Sequence, residues 1–540
     1  MKKYNEKKNI ASKMKPIINF KEWKFRESPN YAALPIDENP EYNVPVAVKD
    51  AVFSKVPTEP LSGKVHLVCA SDDALIDLLD LDPSVAETEE FINFVSGRYL
   101  PPGGLSVSHR YGGYQFGFWA DQLGDGRAHI LGEYINSKGE SWQPQLKGSG
   151  ETPYSRFGDG RAVLRSSIRE MIASEACHYL GIPTTRAAAL VVSEDHKVWR
   201  DKTYSGNARQ EKTAIVMRVA NAWYRIGSLE ILVKRKEPHT LKLLVDFIIK
   251  HHFPALDNSN DKYVDWYMEV AHRNLDMVAT WQGLGFTHGV LNTDNISLLG
   301  VTIDYGPYGF LDHYYHHYVP NTSDDLGRYA FNKQPEILLW NLEKFAEALE
   351  PILSEDQKEK IKYVRSTLDE YVKRKVLQTH LLKLGFEEIK DGDEKLVEDL
   401  FQVMQLKMAD FTGTFRQLTE VNPQELLDKA VLETKWALSK FIDTPNWDKW
   451  VKKYQDRLKD ENVSEEDRRA RMIKVNPVYV PRNWILQEAI NDAEKNDFEK
   501  VRFLLTLFKK PYDVNEEAEK RGYSAQPPSW SYGLKLSCSS

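Results

Sequence analysis

The sequence predicts an α+β protein in which a small, mostly antiparallel sheet comes before a long helical region. Three observations carry this. From about residue 103 to 147 the chain alternates short strand-like runs with turn signals. One amphipathic helix, 161–180, follows and is succeeded by further strands, including 214–219. Past Leu229 the apolar spacing becomes helical for most of the remaining chain.

Residues 1–102 are punctuated by Pro35, Pro40, Pro45, Pro57 and Pro60, and read as loops and short elements packed on something larger. Gly124-Asp125-Gly126, between 116–123 and 128–135, is a hairpin turn signal, and 136–139 is a second turn. The strand 142–147 then carries Gln143, Gln145 and Lys147 on one face and Trp142 and Leu146 on the other. A Gly148-Ser149-Gly150 loop precedes the helix, whose stripe is Leu164, Ile168, Ile172, Ala176 and Leu180 and whose stop is Gly181-Ile182-Pro183. Leu241, Leu244 and Ile248 mark another helix. Val264, Tyr267, Ala271, Leu275 and Val278 mark a third, ending near Gly283 and Gly285. A turn-rich stretch, 286–310, interrupts the helices, which resume beyond about 335. The charge run 456–471 reads as a solvated helical face or linker, and a last helix is expected at 484–493.

Composition limits the classes of function. Of 540 residues, 41% are hydrophobic and 28% charged, enough apolar matter for a large core and against wholesale disorder. That length corresponds to three or four units of about 150 residues. The formal charge of −7 supplies no positive field for nucleic acid or an anionic membrane, and neither partner is expected. Cys69, Cys177 and Cys538 are too few for a disulfide framework, which points to a reducing, intracellular setting. The Lys-rich start has no apolar run and no Arg before Arg26, so it is neither a secretory signal nor a good mitochondrial presequence. No run of eighteen apolar residues suggests a membrane span.

The strongest chemical constellation is His288 through Asn292, Asp294 and Asn295, followed by Asp304-Tyr305-Gly306. The short apolar runs 296–299 and 301–303 flank Gly300 and predict a hairpin. With Leu299 and Gly300 as its turn, Asn295 stands opposite Asp304, their Cβ atoms about 5 Å apart. An amide oxygen and a carboxylate at that spacing suit Mg²⁺, whose shell is completed by phosphate and water. Asp294 stands beside them as a proton acceptor. The plain alternative is a surface turn whose Asn and Asp cap backbone groups. Lys147 ends a strand before a Gly-rich loop, and Glu170 on the next helix can pin it against a phosphate. Gly-Asp-Gly-Arg occurs twice, at Gly124–Arg127 and at Gly158–Arg161. Backbone N–H groups and guanidinium groups at such turns form anion sites. Arg161, Arg165 and Arg169 on one helical stripe, and Arg218 and Arg225 near a strand, add positive charge. Singly, each of these is more often structural.

Several blocks together resemble the selenoprotein O (YdiU) family from about residue 20 onward. They are Tyr111–Gly117, Gln122–Arg127, Leu146–Arg156, Asp159–Glu170, Gly181–Arg186, His288 through Pro307, and Pro320–Asp325. The resemblance implies a protein-kinase-like two-lobe fold. An N-terminal extension (1–102) would pack on a core made of a nucleotide-binding sheet lobe (103–230) and a helical lobe with the metal-binding loop (231–425). A helical C-terminal extension and tail (426–540) would follow. The implied activity is transfer of AMP from ATP to Ser, Thr or Tyr hydroxyls of proteins with release of pyrophosphate. By motif, Lys147 binds phosphate and Glu170 pairs with it. Gly124, Gly126, Arg127, Asp159, Gly160, Arg218, Arg225 and Asp304 face the nucleotide. Asn295 and Asp304 hold Mg²⁺, with Mn²⁺ as the alternative ion, and Asp294 is the base.

There are departures. Val290 occupies the position of the ordinary kinase base. Tyr114 stands where family members usually carry His. Cys538 takes the place of the family's selenocysteine, with Lys535 where its partner would be, leaving Cys538 as a candidate redox thiol without a local partner. Two other readings stay open: a kinase moving the γ-phosphate, and a non-catalytic ATP-binding or redox scaffold. The resemblance places the protein in the cytoplasm if bacterial and allows mitochondria if eukaryotic.

Overall fold

The computed structural model describes residues 15–26, 33–39, 46–201, 206–461 and 463–534. The fold is α+β, and its organising element is a ten-stranded mixed sheet. In chain order the strands are β1 (Ile36–Asp37), β2 (Phe53–Lys55), β3 (Val65–Ala70), β4 (Val107–His109), β5 (Gly112–Gln115), β6 (Phe118–Gln122) and β7 (Ala128–Ile130). They continue with β8 (Tyr134–Ile135), β9 (Ser141–Lys147), β10 (Ala162–Val163), β11 (Arg186–Arg200), β12 (Arg209–Ala220), β13 (Phe286–Thr287) and β14 (Gly309–Phe310). The path across the large sheet is β1-β2-β4-β7-β9-β12-β11-β3, with β8 beside β9 and β10 beside β12. Among the paired strands of the described residues, β1 and β2 alone run parallel.

Residues 36–70 therefore supply three strands of the sheet, which begins well before residue 103. The rest of the N-terminal segment covers one sheet face. Helices α1 (Asp72–Leu79) and α2 (Glu89–Val95), capped by Ser71 and Thr88, bury Leu75, Phe91 and Phe94 with Trp23 against Leu146, Ile215 and Met217. The other face receives α3 (Leu164–Tyr179), whose Leu164, Ile168 and Ile172 pack with Leu190, Ala214 and Val216. Period-2 alternation in β12 thus feeds two separate cores, one per face.

Past β12 the chain is helical: α4 (Ile226–Lys234), α5 (Pro238–His252), α6 (Lys262–Leu284), α7 (Gln334–Leu349), α8 (Glu355–Lys383), α9 (Asp393–Leu406) and α10 (Phe411–Glu420). Then come α11 (Pro445–Glu461), α12 (Glu465–Ile473), α13 (Asn483–Ala493) and α14 (Glu499–Phe508). The stripes read from the sequence for α5 and α6 are the buried faces of those helices. No helix among the described residues is long and apolar enough to cross a membrane.

Several expectations are corrected. The runs 116–123 and 128–135 do not form a hairpin. β6 pairs with β5 through a turn at Phe116 and Gly117, while β7 pairs with β4 and β9. Gly124–Gly126 is instead a crossing between two sheets. The 296–299 and 301–303 runs do not pair with each other either, because neighbours take their backbone groups. Leu298 N donates to Tyr224 O (2.9 Å) and Ile226 N to Ile296 O (3.0 Å). Thr302 N donates to Pro183 O (2.8 Å). Asn295 closes a 3₁₀ turn, Thr293–Asn295, and is no cross-strand partner of Asp304. Helix α3 starts at Leu164 because Ala162 and Val163 pair with β12. The 456–471 run is two helix segments, and its Arg468 is buried, donating to Leu418 O, Val421 O and the Tyr454 hydroxyl. The helix at Asn483–Ala493 is not the last one, since Glu499–Phe508 and Glu516–Lys520 follow.

The sheet is tied to the helical region by a buried ion pair. Arg110, 1% exposed, donates to both oxygens of Glu237 at 2.7 and 3.0 Å and to Ala51 O at 3.1 Å. Removing one partner strands a buried charge. Glu237→Ala is expected to destabilise the fold by about 3–5 kcal/mol, read as a lowered midpoint in urea unfolding. An unchanged midpoint would show that the pair carries no stability.

Candidate nucleotide site

Strand register assembles the first half of the site. In the β9/β12 pairing Gln145 lies opposite Arg218 and Lys147 opposite Val216. Residues two apart share a face, so Lys147, Gln145 and Arg218 project together on the side covered by α3. There Glu170 accepts from Lys147 Nζ through Oε2 (2.7 Å) and from Arg218 Nη1 through Oε1 (2.7 Å). Arg218 Nε also donates to Gln145 Oε1 (3.0 Å).

The second half comes from the segment after Gly300. Asp304 has a left-handed backbone, φ +57°, a conformation that Asp tolerates better than most residues. Its Oδ1 accepts from Arg218 Nη1 (2.5 Å) and lies 3.5 Å from Lys147 Nζ. Its Oδ2 accepts from Arg225 Nη1 (2.5 Å), which also donates to Asp294 O (2.9 Å). Arg225 is the residue before α4, held there by the bridge to Ser297. Asp125, at the centre of the Gly124–Gly126 crossing, accepts from Gln145 Nε2 (3.0 Å) and lies 3.5 Å from Arg225. Carboxylates and cations thus alternate through a buried network. Burial alone would raise the Asp304 carboxyl. Arg225, Arg218 and Lys147 outweigh it and hold the group well below the usual carboxylate range. Glu170 behaves alike: burial raises it, and Lys147 and Arg218 bring it below its ordinary value.

This network floors a cleft of about 740 Å³, within the size range of small-molecule sites. Gly124, Gly126, Arg127, Lys147, Asp159, Gly160, Glu170, Arg218, Asp294, Asn295 and Asp304 all line it. Arg225 lies just behind, holding Asp304. Gly124 has φ +114°, and a Cβ there would stand 2.4 Å from the Tyr154 ring, so the crossing needs glycine. At the opposite end Asp159 clamps Arg200 through two 2.7 Å hydrogen bonds. Asp159 and Gly160 do not cap α3, which starts later. The arginine stripe is not an open anion site either: Arg161 pairs with Glu59 and Arg165 with Glu211.

Asp294 and Asn295 form the cleft's other wall. Asp294 is 6% exposed. Gln115 Nε2 donates to its Oδ2 at 3.4 Å, and its Oδ1 is buried with no hydrogen-bond partner. Gly113 of the β5–β6 hairpin passes so close that a Cβ would meet that Oδ1 at 2.8 Å. Burial, opposed by Arg225, raises Asp294 to about 7. Beside it Thr293 Oγ1 accepts from Tyr114 N (2.8 Å) and donates to Glu230 (2.6 Å), whose carboxyl burial raises to about 8. Asn295 Nδ2 donates to Val290 O (3.0 Å), which leaves its amide oxygen as an acceptor at the cleft wall.

Asn295 and Asp304 are the residues here that could hold a divalent ion. They offer hard oxygen donors on one cleft. Among the described residues no three His, Cys, Asp or Glu side chains gather as a metal cage. An ion at Asn295 and Asp304 would therefore draw most of its ligands from phosphate and water, as Mg²⁺ does.

Every predicted site residue but one is thus gathered at this cleft. Cys538 lies outside the described residues. Sequence reasoning missed Asp125, Thr293 and Glu230. Asp125 is legible only as a turn residue. Glu230 carries a readable signal, a carboxylate on an otherwise apolar helical stripe with Ile226 and Leu229.

Known proteins resemble this chain over most of its length. Residues 43–509 match the family described as "Protein adenylyltransferase SelO". Proteins named "Protein nucleotidyltransferase YdiU" from Pseudomonas fluorescens (strain Pf-5) and Ectopseudomonas mendocina (strain ymp) are each 41% identical to the chain over 497 residues. Each alignment covers 91% of this chain and 96% of the relative. With the family match spanning most of its length and relatives matched nearly end to end, this chain belongs to the SelO family of protein adenylyltransferases.

Proposed function

We propose that this chain transfers AMP from ATP to a Ser, Thr or Tyr hydroxyl of a protein, within a protein-kinase-like two-lobe frame. The observation that carries the reading is the convergence of Lys147, Arg218 and Arg225 on the single carboxylate of Asp304, in a cleft that also presents Asp294. Adenylyl transfer needs charge neutralisation more than covalent help from the protein. A triphosphate entering the cleft takes Lys147, Arg127 and Arg218 as partners in exchange for carboxylate oxygens. Glu170 keeps Lys147 extended while this happens. Asn295 and Asp304 would hold Mg²⁺, or Mn²⁺ in its place, which when bound neutralises polyphosphate charge. Asp294, raised to about 7, is suited to accept the proton of the attacking hydroxyl. The hydroxyl oxygen bonds to the α-phosphorus, and the bond to the β-phosphate oxygen breaks. The electron pair leaves with pyrophosphate, whose charge the same cations stabilise.

Three experiments test this. ATP labelled on the α-phosphate is expected to label protein and γ-labelled ATP is not; γ-label alone would make the chain a kinase. Asp304→Ala should abolish α-label transfer while circular dichroism stays native, and transfer at a near wild-type rate would remove Asp304 from the reaction. Asp294→Asn is expected to lower kcat by about 10²–10⁴-fold, with the KM for ATP changed less than about threefold. A change confined to KM would make Asp294 a binding residue.

A further inference from the structure

Glu170 has a neighbour with no role in the reaction above. Arg169, the preceding residue of α3, is buried at the cleft and has no carboxylate partner within ion-pair distance among the described residues. Its guanidinium reaches two neutral acceptors on different parts of the chain. Nη1 donates to Asn483 Oδ1 (2.8 Å) and Nη2 to Tyr308 O (2.8 Å). The Tyr308 hydroxyl donates back to Arg169 O (3.0 Å), and the guanidinium carbon sits 4.3 Å from the centre of the Tyr308 ring. Tyr308 lies four residues past Asp304. Asn483 is the first residue of α13.

That acceptor is itself held fast. Arg482, one residue earlier, donates to both oxygens of Asp410 (2.6 and 2.9 Å) and to Asp312 (3.1 Å). Helices α13 and α14 pack along α3. Arg502 of α14 donates to Val68 O (2.9 Å) and Leu67 O (3.1 Å) on β3, and Lys212 of β12 donates to Glu494 O (2.7 Å). The C-terminal helices therefore join the edge of the sheet, the helix carrying Glu170 and the segment carrying Asp304. A planar fork with two fixed acceptors defines a distance in a way that a point charge does not.

We propose that Arg169 and Asn483 are positioning residues for the transfer reaction, fixing α3 against segment 304–308 so that Glu170 and Asp304 meet on Lys147 and Arg218. On this account the C-terminal helices are part of the working site. The inference rests on the proposed transfer activity. Turnover is therefore counted with whichever label, α or γ, the wild-type chain transfers: failure of the AMP reading shows in the wild type, and failure of this inference only in the variants.

Asn483→Asp keeps an acceptor for Nη1 and is expected to retain kcat within about threefold. Asn483→Leu removes it at similar volume. It is expected to lower kcat about ten- to a hundredfold, with the KM for ATP moved less than about threefold, in a protein that still folds but whose unfolding midpoint falls because a buried guanidinium loses an acceptor. In a Glu170→Gln background the same change should cost less than about twofold, because Asn483 acts through that pairing. Equal losses in both backgrounds, or a folded Asn483→Leu protein working at the wild-type rate, would overturn the proposal. Should Asn483→Leu not fold, Asn483→Ser replaces it in the same pair of backgrounds, where a smaller loss beside Glu170→Gln supports the proposal and an equal loss overturns it.

Discussion

The site is organised around one carboxylate. Asp304 sits among Lys147, Arg218 and Arg225, the two arginines being 2% and 1% exposed. Buried cations at that density are tolerable only where oxygen acceptors surround them. Asp304, Glu170, Asp125 and the Gln145 amide supply those acceptors, each from a different element. The constraint therefore runs through the fold. β9 and β12 must keep their register, α3 must lie on their shared face, and the chain entering α4 must return to segment 300–306. The same network is preorganised for anions, since its cations already point at oxygen and need only exchange one set for another.

How much of this is legible in the sequence depends on the range of the interaction. Local periodicity finds β9 and its Lys147 face, the α3 stripe and the helices after Leu229, because a buried face leaves its spacing in the chain. It fails where backbone groups find distant partners. The runs around Gly300 have the look of a hairpin, but Tyr224 and Pro183 take their hydrogen bonds. The run 116–123 suggests the wrong neighbour because the Gly-Asp-Gly signal marks a crossing as readily as a turn. Asn295 and Asp304 still share a cleft, held together by Arg225 and Ser297 and not by a ladder between them. Arg161 and Arg165 look free in the sequence because Glu59 and Glu211, which pair with them, are distant in the chain.

Segments remote in sequence converge on the Asp294 wall of the cleft as well. The β5–β6 hairpin rests on the Asp294 turn through Tyr114, Gln115 and Phe116, with Phe116 N donating to the Tyr329 hydroxyl (2.7 Å). This seat desolvates Asp294 and gives it a carboxyl near neutrality. On the far side of the cleft the C-terminal helices brace α3. The family match, covering residues 43–509, embraces both.

The β11–β12 ribbon has one more consequence. Arg218 stands at its buried end, opposite Ala187, and Arg200, which grips Asp159 at the cleft's other end, stands opposite Arg209. Residues 209–218 are about 30 Å of extended chain, so one continuous ruler sets the separation of the two ends. The register shifts between Ala187 and Ala189 and between Val192 and Lys197 place extra residues on β11, so slack between the two ends of the cleft is taken up by that strand while β12 keeps the span.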